Sequence, residues 1–161
     1  MRSDGHLTRS GRPVVLAVAV VLLAVSCAST GVGSRPGIRV TNAMMPAPAS
    51  PTVAAAYFTI HNLSSRPDTL ETATTDVTPL ATVHRTVEAN GVSTMVDTGP
   101  LTIPGHGTVK LTPGALHLML DNPRVPLLQG GHITVTLRFR RAGAVTFTVP
   151  VVNPADVLVD S

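Results

Sequence analysis

Asn90-Gly91 constrains this chain more than any other pair of residues. It falls between two β-prone runs, 80–88 and 92–98. Asn and Gly both accept positive φ, so the pair predicts a two-residue type I′ turn and a tight hairpin. With Ala89 opposite Val92, Thr86 comes opposite Met95 and His84 opposite Asp97. Opposed residues share a face, and so do residues two apart. His84 and Met95 are therefore expected as diagonal neighbours, about 7–8 Å apart. A slip of one residue would send them to opposite faces.

The rest of the chain is cut into similar short pieces. Fourteen Pro and thirteen Gly separate runs rich in Val and Thr, which leaves room for strands but not for long helices. A first short strand is expected over 38–43, followed by a Pro-rich loop from Met44 to Pro51. Further strands are expected over 52–63, 69–75, 108–112, 116–120, 133–141 and 144–152. The run 133–141 alternates well, with Ile133, Val135, Leu137 and Phe139 on one face. Eight or nine such strands predict an all-β Greek-key sandwich. Aromatic residues are few, three Phe, one Tyr and no Trp, so the core must be built from Val, Leu, Ile and Ala.

The leader explains the charge. Arg2, Arg9 and Arg12 precede an apolar run of twelve residues, 14–25. That is short for a bilayer span and typical of an export signal. Leu23-Ala24-Val25-Ser26-Cys27 resembles a bacterial lipobox, with Ala24 where Leu is more usual. The resemblance implies cleavage before Cys27 and lipid on its sulfur, with ordinary cleavage and secretion as the alternative. The domains expected are a signal over 1–26, a flexible tether over 27–37, a sandwich over 38–152 and a short tail over 153–161. From Cys27 onward, nine Lys and Arg face eight Asp and Glu, a net of +1. No basic run remains, so nucleic-acid binding has no electrostatic footprint.

Chemistry gathers on the strand 116–120. Leu116, Leu118 and Leu120 share a face that suits a core, and His117 and Met119 share the other. An imidazole and a thioether two residues apart suit a soft cation, above all Cu(I). The plainer alternative is that Met119 packs and His117 lines a wet edge.

Taken together, His84, Met95, His117 and Met119 have the spacing H-x10-M-x21-H-x-M. This resembles the PCu(A)C family of periplasmic copper chaperones, and the resemblance extends over residues 38–152. Tyr57-Phe58-Thr59-Ile60-His61-Asn62 is similar to that family's early strand. The run from Ile103 to Leu111 with Pro113-Gly114 is similar to the stretch before its second His, and Pro126-Leu127 with Gly130 also fits. The resemblance implies a cupredoxin-like β-sandwich, with those four residues as ligands of one Cu(I) per chain. It further implies delivery to a membrane oxidase, usually the binuclear copper centre of cytochrome c oxidase, or to another copper chaperone. Two imidazoles and two thioethers make a neutral, soft site with no thiol to oxidise outside the cytoplasm. This chain departs from many relatives in its lipobox, and from some in lacking a His- and Met-rich tail for a second copper.

The expected protein is thus a monomeric, exported copper carrier, anchored by Cys27 at the outer face of the cell membrane or in the periplasm, and not an enzyme. No nucleophile motif or carboxylate pair stands out. A blue-copper electron carrier needs a Cys thiolate beside two His, and Cys27 lies in the lipobox. Copper storage or resistance, and a metal-free adhesion or assembly module, are the alternative functions. Of the other histidines, His61 is expected at a strand edge, His106 at a loop tip and His132 at a strand start. Met44 and Met45 are expected to be core or exposed rather than ligands.

Overall fold

The computed structural model describes residues 33–35 and 37–157. These form eleven strands and one turn of helix: β1 (Gly33–Arg35), β2 (Ile38–Pro46), β3 (Val53–Asn62), β4 (Asp68–Thr75), β5 (Ala81–Ala89), β6 (Val92–Asp97), β7 (Leu101–Ile103), β8 (Thr108–Leu111), β9 (Leu116–Asp121), β10 (His132–Phe139), β11 (Gly143–Val152) and α1 (Pro154–Val157). The all-β sandwich expected from the alternating runs is present. The leader and Cys27 lie outside the described residues.

Alternation decides which faces meet. On β10, Ile133, Val135, Leu137 and Phe139 are buried, and on β11 so are Val145, Phe147, Val149 and Val151. β10 pairs with β11 on one side and with β4 on the other. The opposite layer contributes Ile38, Val40, Phe58 and Ile60. Phe58 meets Phe147 edge-on, with ring centroids 5.2 Å apart, a geometry that adds about 0.5–1.5 kcal/mol beyond the area buried.

β3 ties the layers together. Its first half, Val53 to Ala56, pairs with β9, and its second half pairs with β2 and β8. β2 in turn meets β11 in parallel at Met45 and Pro46. The ladder therefore closes on itself, which removes most open edges. β6 is left at the margin, paired with β5.

Several details differ from the sequence expectations. β2 runs on through Met44, Met45 and Pro46, which were expected in a loop. A bulge between Thr41 and Met44, with Asn42 at φ 53°, bends the strand so that it reaches β11. Met45 is fully buried in the core. Strand pairing begins ahead of Ile38, because β1 folds back on β2. Leu101–Ile103 is a separate strand paired with β4. His61 is not at an edge: β2 flanks it through Arg39 and β8 through Thr108. His106 is exposed at a loop tip with φ 52°, and His132 is exposed at the start of β10, both as expected.

Candidate metal centre

The site is built on β5 and its two neighbours. Asn90 and Gly91 adopt φ 52° and 76°, the left-handed pair that a type I′ turn requires. Ala89 pairs with Val92, Thr86 with Met95 and His84 with Asp97. The expected hairpin register is therefore the one present, and His84 and Met95 are diagonal neighbours.

The other side of β5 supplies what the hairpin alone does not. β9 runs antiparallel to β5, with His84 directly opposite His117 and Thr82 opposite Met119. β3 then pairs with β9, setting Ala55 opposite Met119. One sheet face thus carries Met95 on β6, His84 on β5, and His117 and Met119 on β9. The reverse face of the same strands is core: Val83, Leu118 and Leu120 are buried. Leu116 is half-buried at the start of β9.

A cleft of about 320 Å³ opens over this face, and its lining includes Met95, His117, Met119, Tyr57, Pro48 and Ser50. His84 stands beside His117, ring centroids 6.0 Å apart and ring planes inclined by 58°. That separation is close to what two metal–nitrogen bonds of about 2 Å, plus the half-width of each ring, would span. Burial falls off across the cleft. His117 is 4% exposed, Met119 is half-buried and Met95 is 57% exposed. Burial raises the Tyr57 phenol above its ordinary value of 10.0.

The hydrogen bonds leave one nitrogen of each ring bare. His117 Nδ1 lies 3.1 Å from the Ala115 carbonyl oxygen. A carbonyl can only accept, so Nδ1 carries the proton and Nε2 presents a lone pair. His84 Nε2 lies 2.9 Å from the Thr82 hydroxyl, so Nδ1 is the bare atom on that ring. Among the described residues, His84 Nδ1 and His117 Nε2 are the buried side-chain polar atoms with no partner. Such an orphan costs about 1–3 kcal/mol, and native folds seldom keep two together without a use for them.

Hard ligands are scarce here. Among the described residues no three of His, Cys, Asp and Glu are grouped so as to hold a metal ion. The side chains that share this face with the imidazoles include the thioethers of Met95 and Met119, donors that favour a soft cation over Zn(II) or Mg(II). The other histidines are apart. His61 is held between the hydroxyls of Thr41, at 2.9 Å, and Thr108, at 3.2 Å. Met44 lines a different groove, with Asn42 and Phe58. Thr82, Tyr57 and the Ala115 carbonyl belong to the site's surroundings and carry no motif of their own.

Comparison with known proteins agrees with the fold. Residues 38–151 match the family described as "Putative lipoprotein LpqE-like". The chain is 34% identical over 116 residues to "Putative lipoprotein Lxx21020" of Leifsonia xyli subsp. xyli (strain CTCB07), covering 71% of this chain and 69% of that one. Among solved structures it is similar to the copper-bound PCuAC domain from PmoF2, with TM-score 0.64 and 23% identity over 76% of this chain and 98% of that one. It is also similar to CuI-DR1885 from Deinococcus radiodurans, with TM-score 0.57 and 29% identity over 70% of this chain and 76% of that one. The chain belongs to the LpqE-like family and has the β-sandwich fold of PCuAC domains.

Proposed function

We propose that this chain is an exported Cu(I) carrier, with His84, Met95, His117 and Met119 as the ligands of a single ion. The observation that carries the reading is the pair of buried, unpartnered nitrogens, His84 Nδ1 and His117 Nε2, on rings 6.0 Å apart that stand on directly opposed residues of β5 and β9. Two thioethers on the same face complete a neutral, soft donor set. The similarity to CuI-DR1885 supports copper as the cargo.

The gradient of exposure suits a carrier. The imidazoles are held by strands and fixed hydrogen bonds, so they keep their geometry. Met95, at 57% exposed on the marginal strand β6, is the ligand an acceptor reaches first. Replacing it with an acceptor's own ligand lets the ion pass by stepwise exchange without ever being released to water. A lipid on Cys27 would keep the exchange at the membrane surface, where an oxidase presents its copper site. The client in this reading is a membrane oxidase, the binuclear copper centre of cytochrome c oxidase in particular.

Transfer is the test. The Cu(I)-loaded chain is mixed with the apo copper domain of a candidate oxidase, the two proteins are separated, and copper is assayed on each. Oxidase activity is measured in a strain lacking the gene, at limiting copper. The reading predicts movement of copper to the acceptor and loss of oxidase activity restored by added copper. Retention of copper by the chain, with normal oxidase activity in the deletion strain, would contradict delivery.

A further inference from the structure

We infer that Thr82 is a positioning residue: its hydroxyl fixes the tautomer of His84, so that this ring keeps a bare Nδ1 while the neighbouring His117 keeps a bare Nε2. The inference rests on the copper reading for its functional meaning, but its structural content stands without metal.

The two rings are anchored differently. On His117 the partner is the Ala115 carbonyl, and the proton must be on Nδ1. On His84 the partner is a hydroxyl, which can donate or accept. Two arrangements of that bond are possible. If the hydroxyl donated to Nε2, the ring proton would sit on Nδ1, buried and without an acceptor. Among backbone groups a buried N–H with no partner is rarer than an under-satisfied acceptor, and the same preference is applied to this ring. If instead Nε2–H donates to the Thr82 oxygen, Nδ1 keeps a bare lone pair, and the half-exposed hydroxyl turns its own proton to water. The second arrangement is the one that avoids a stranded donor.

Position supports the same assignment. Thr82 lies two residues before His84 on β5, on the same face, and directly opposite Met119 on β9. It touches the ring edge remote from Nδ1, so it can hold the ring without occupying the ligand position. Partners of this kind, set behind a metal-binding imidazole, fix its orientation and raise its basicity. The consequence is an asymmetric pair, one ring binding through Nδ1 and the other through Nε2, each with its second nitrogen engaged by a named oxygen.

The test is a long-range proton–nitrogen NMR spectrum of the ¹⁵N-labelled, metal-free protein at a pH where the imidazoles are neutral. Wild type is expected to show His84 protonated at Nε2 and His117 protonated at Nδ1. Thr82→Val removes the hydroxyl at nearly constant shape and should turn His84 into a mixture of tautomers, leaving His117 unchanged. Thr82→Ser should restore the wild-type pattern, and Thr82→Ala serves if the Val side chain perturbs the strand. Cu(I) affinity should fall about 10- to 100-fold in Thr82→Val and recover in Thr82→Ser. A wild-type His84 protonated at Nδ1 overturns the inference. So does an unchanged tautomer and unchanged Cu(I) affinity in Thr82→Val. Failure of wild type to bind Cu(I) at all overturns the copper reading instead, and the metal-free spectra tell the two failures apart.

Discussion

Replacing His117 with Leu should leave the metal-free protein at least as stable as wild type, although His117 is only 4% exposed. Most substitutions of a buried residue destabilise, so the direction is diagnostic. In wild type the Nε2 atom is buried without a partner, a cost of about 1–3 kcal/mol. The change gives up the Nδ1 hydrogen bond to Ala115, worth about 0.5–1.5 kcal/mol. The Ala115 carbonyl still accepts from the Thr86 N–H at 3.1 Å, so the change strands no acceptor. Leu is close to His in volume and faces a cleft shared with Met119 and Met95, so it introduces no crowding. The balance centres on about 1 kcal/mol in favour of the variant, within about −0.5 to 2.5 kcal/mol, and each kcal/mol moves the melting midpoint by about 4 °C in a domain of this size. Copper should reverse the order. At a free concentration 100 times its dissociation constant, a bound ion stabilises wild type by about 2.7 kcal/mol, and the variant loses that gain. Urea denaturation with and without Cu(I) measures both effects. A metal-free His117→Leu protein less stable than wild type by more than about 1 kcal/mol would show that the ring is part of an ordinary packed core, and the argument from the orphaned nitrogens would fail.

Other outcomes follow from neighbouring features. Tyr57 is the only tyrosine, and burial raises its pKa. Ultraviolet titration of the folded protein should therefore show a midpoint above 10. Because the folded value is the higher one, the Tyr57 contribution is complete below the unfolded value and is lost as pH rises through the folded one. Tyr57→Phe should flatten stability over that alkaline range, and a midpoint at or below 10 would refute the burial argument. Gly91→Ala places a side chain at φ 76°, with open space around its Cβ, so the cost is backbone strain alone, about 1–2 kcal/mol by denaturation. A neutral effect would mean that the turn is not the one described. Cys27→Ala should block lipidation and leave the chain unprocessed or released, without altering metal binding by the sandwich. Mass spectrometry of an unmodified, soluble mature wild-type protein from its native host would contradict the anchor.

Local chemistry made part of this molecule legible in its sequence. Asn90-Gly91 encodes a turn whose geometry admits one register, so the neighbourhood of His84 and Met95 could be derived before any fold was known. The alternation in 133–141 likewise assigned the buried face of β10. What could not be read was pairing between distant segments. His84 faces His117 because β9 docks beside β5, and no residue near either histidine signals that partner. β2 was cut short because Met44-Met45-Pro46 looks like the start of a Pro-rich loop. In the fold, the bulge at Asn42 and the parallel contact with β11 keep these residues in the ladder. His61 looked like an edge residue because its partners, β2 and β8, are supplied from both sides by remote parts of the chain. Thr82 was invisible for another reason: one threonine among many acquires a role only through the ring it touches.

A competition titration against a Cu(I) chelator of known affinity, run on wild type and on Met95→Leu with Met119→Leu, tests the ligand set most directly. The double change keeps side-chain volume nearly constant and should cost less than about 1.5 kcal/mol of stability at the half-buried Met119 and almost nothing at the exposed Met95. His61→Ala, His106→Ala and His132→Ala are the controls, and their affinities should match wild type. The account predicts one Cu(I) per wild-type chain, bound far more tightly than Zn(II), and a marked loss of Cu(I) affinity in the folded double variant. Wild-type Cu(I) affinity in that variant would contradict it.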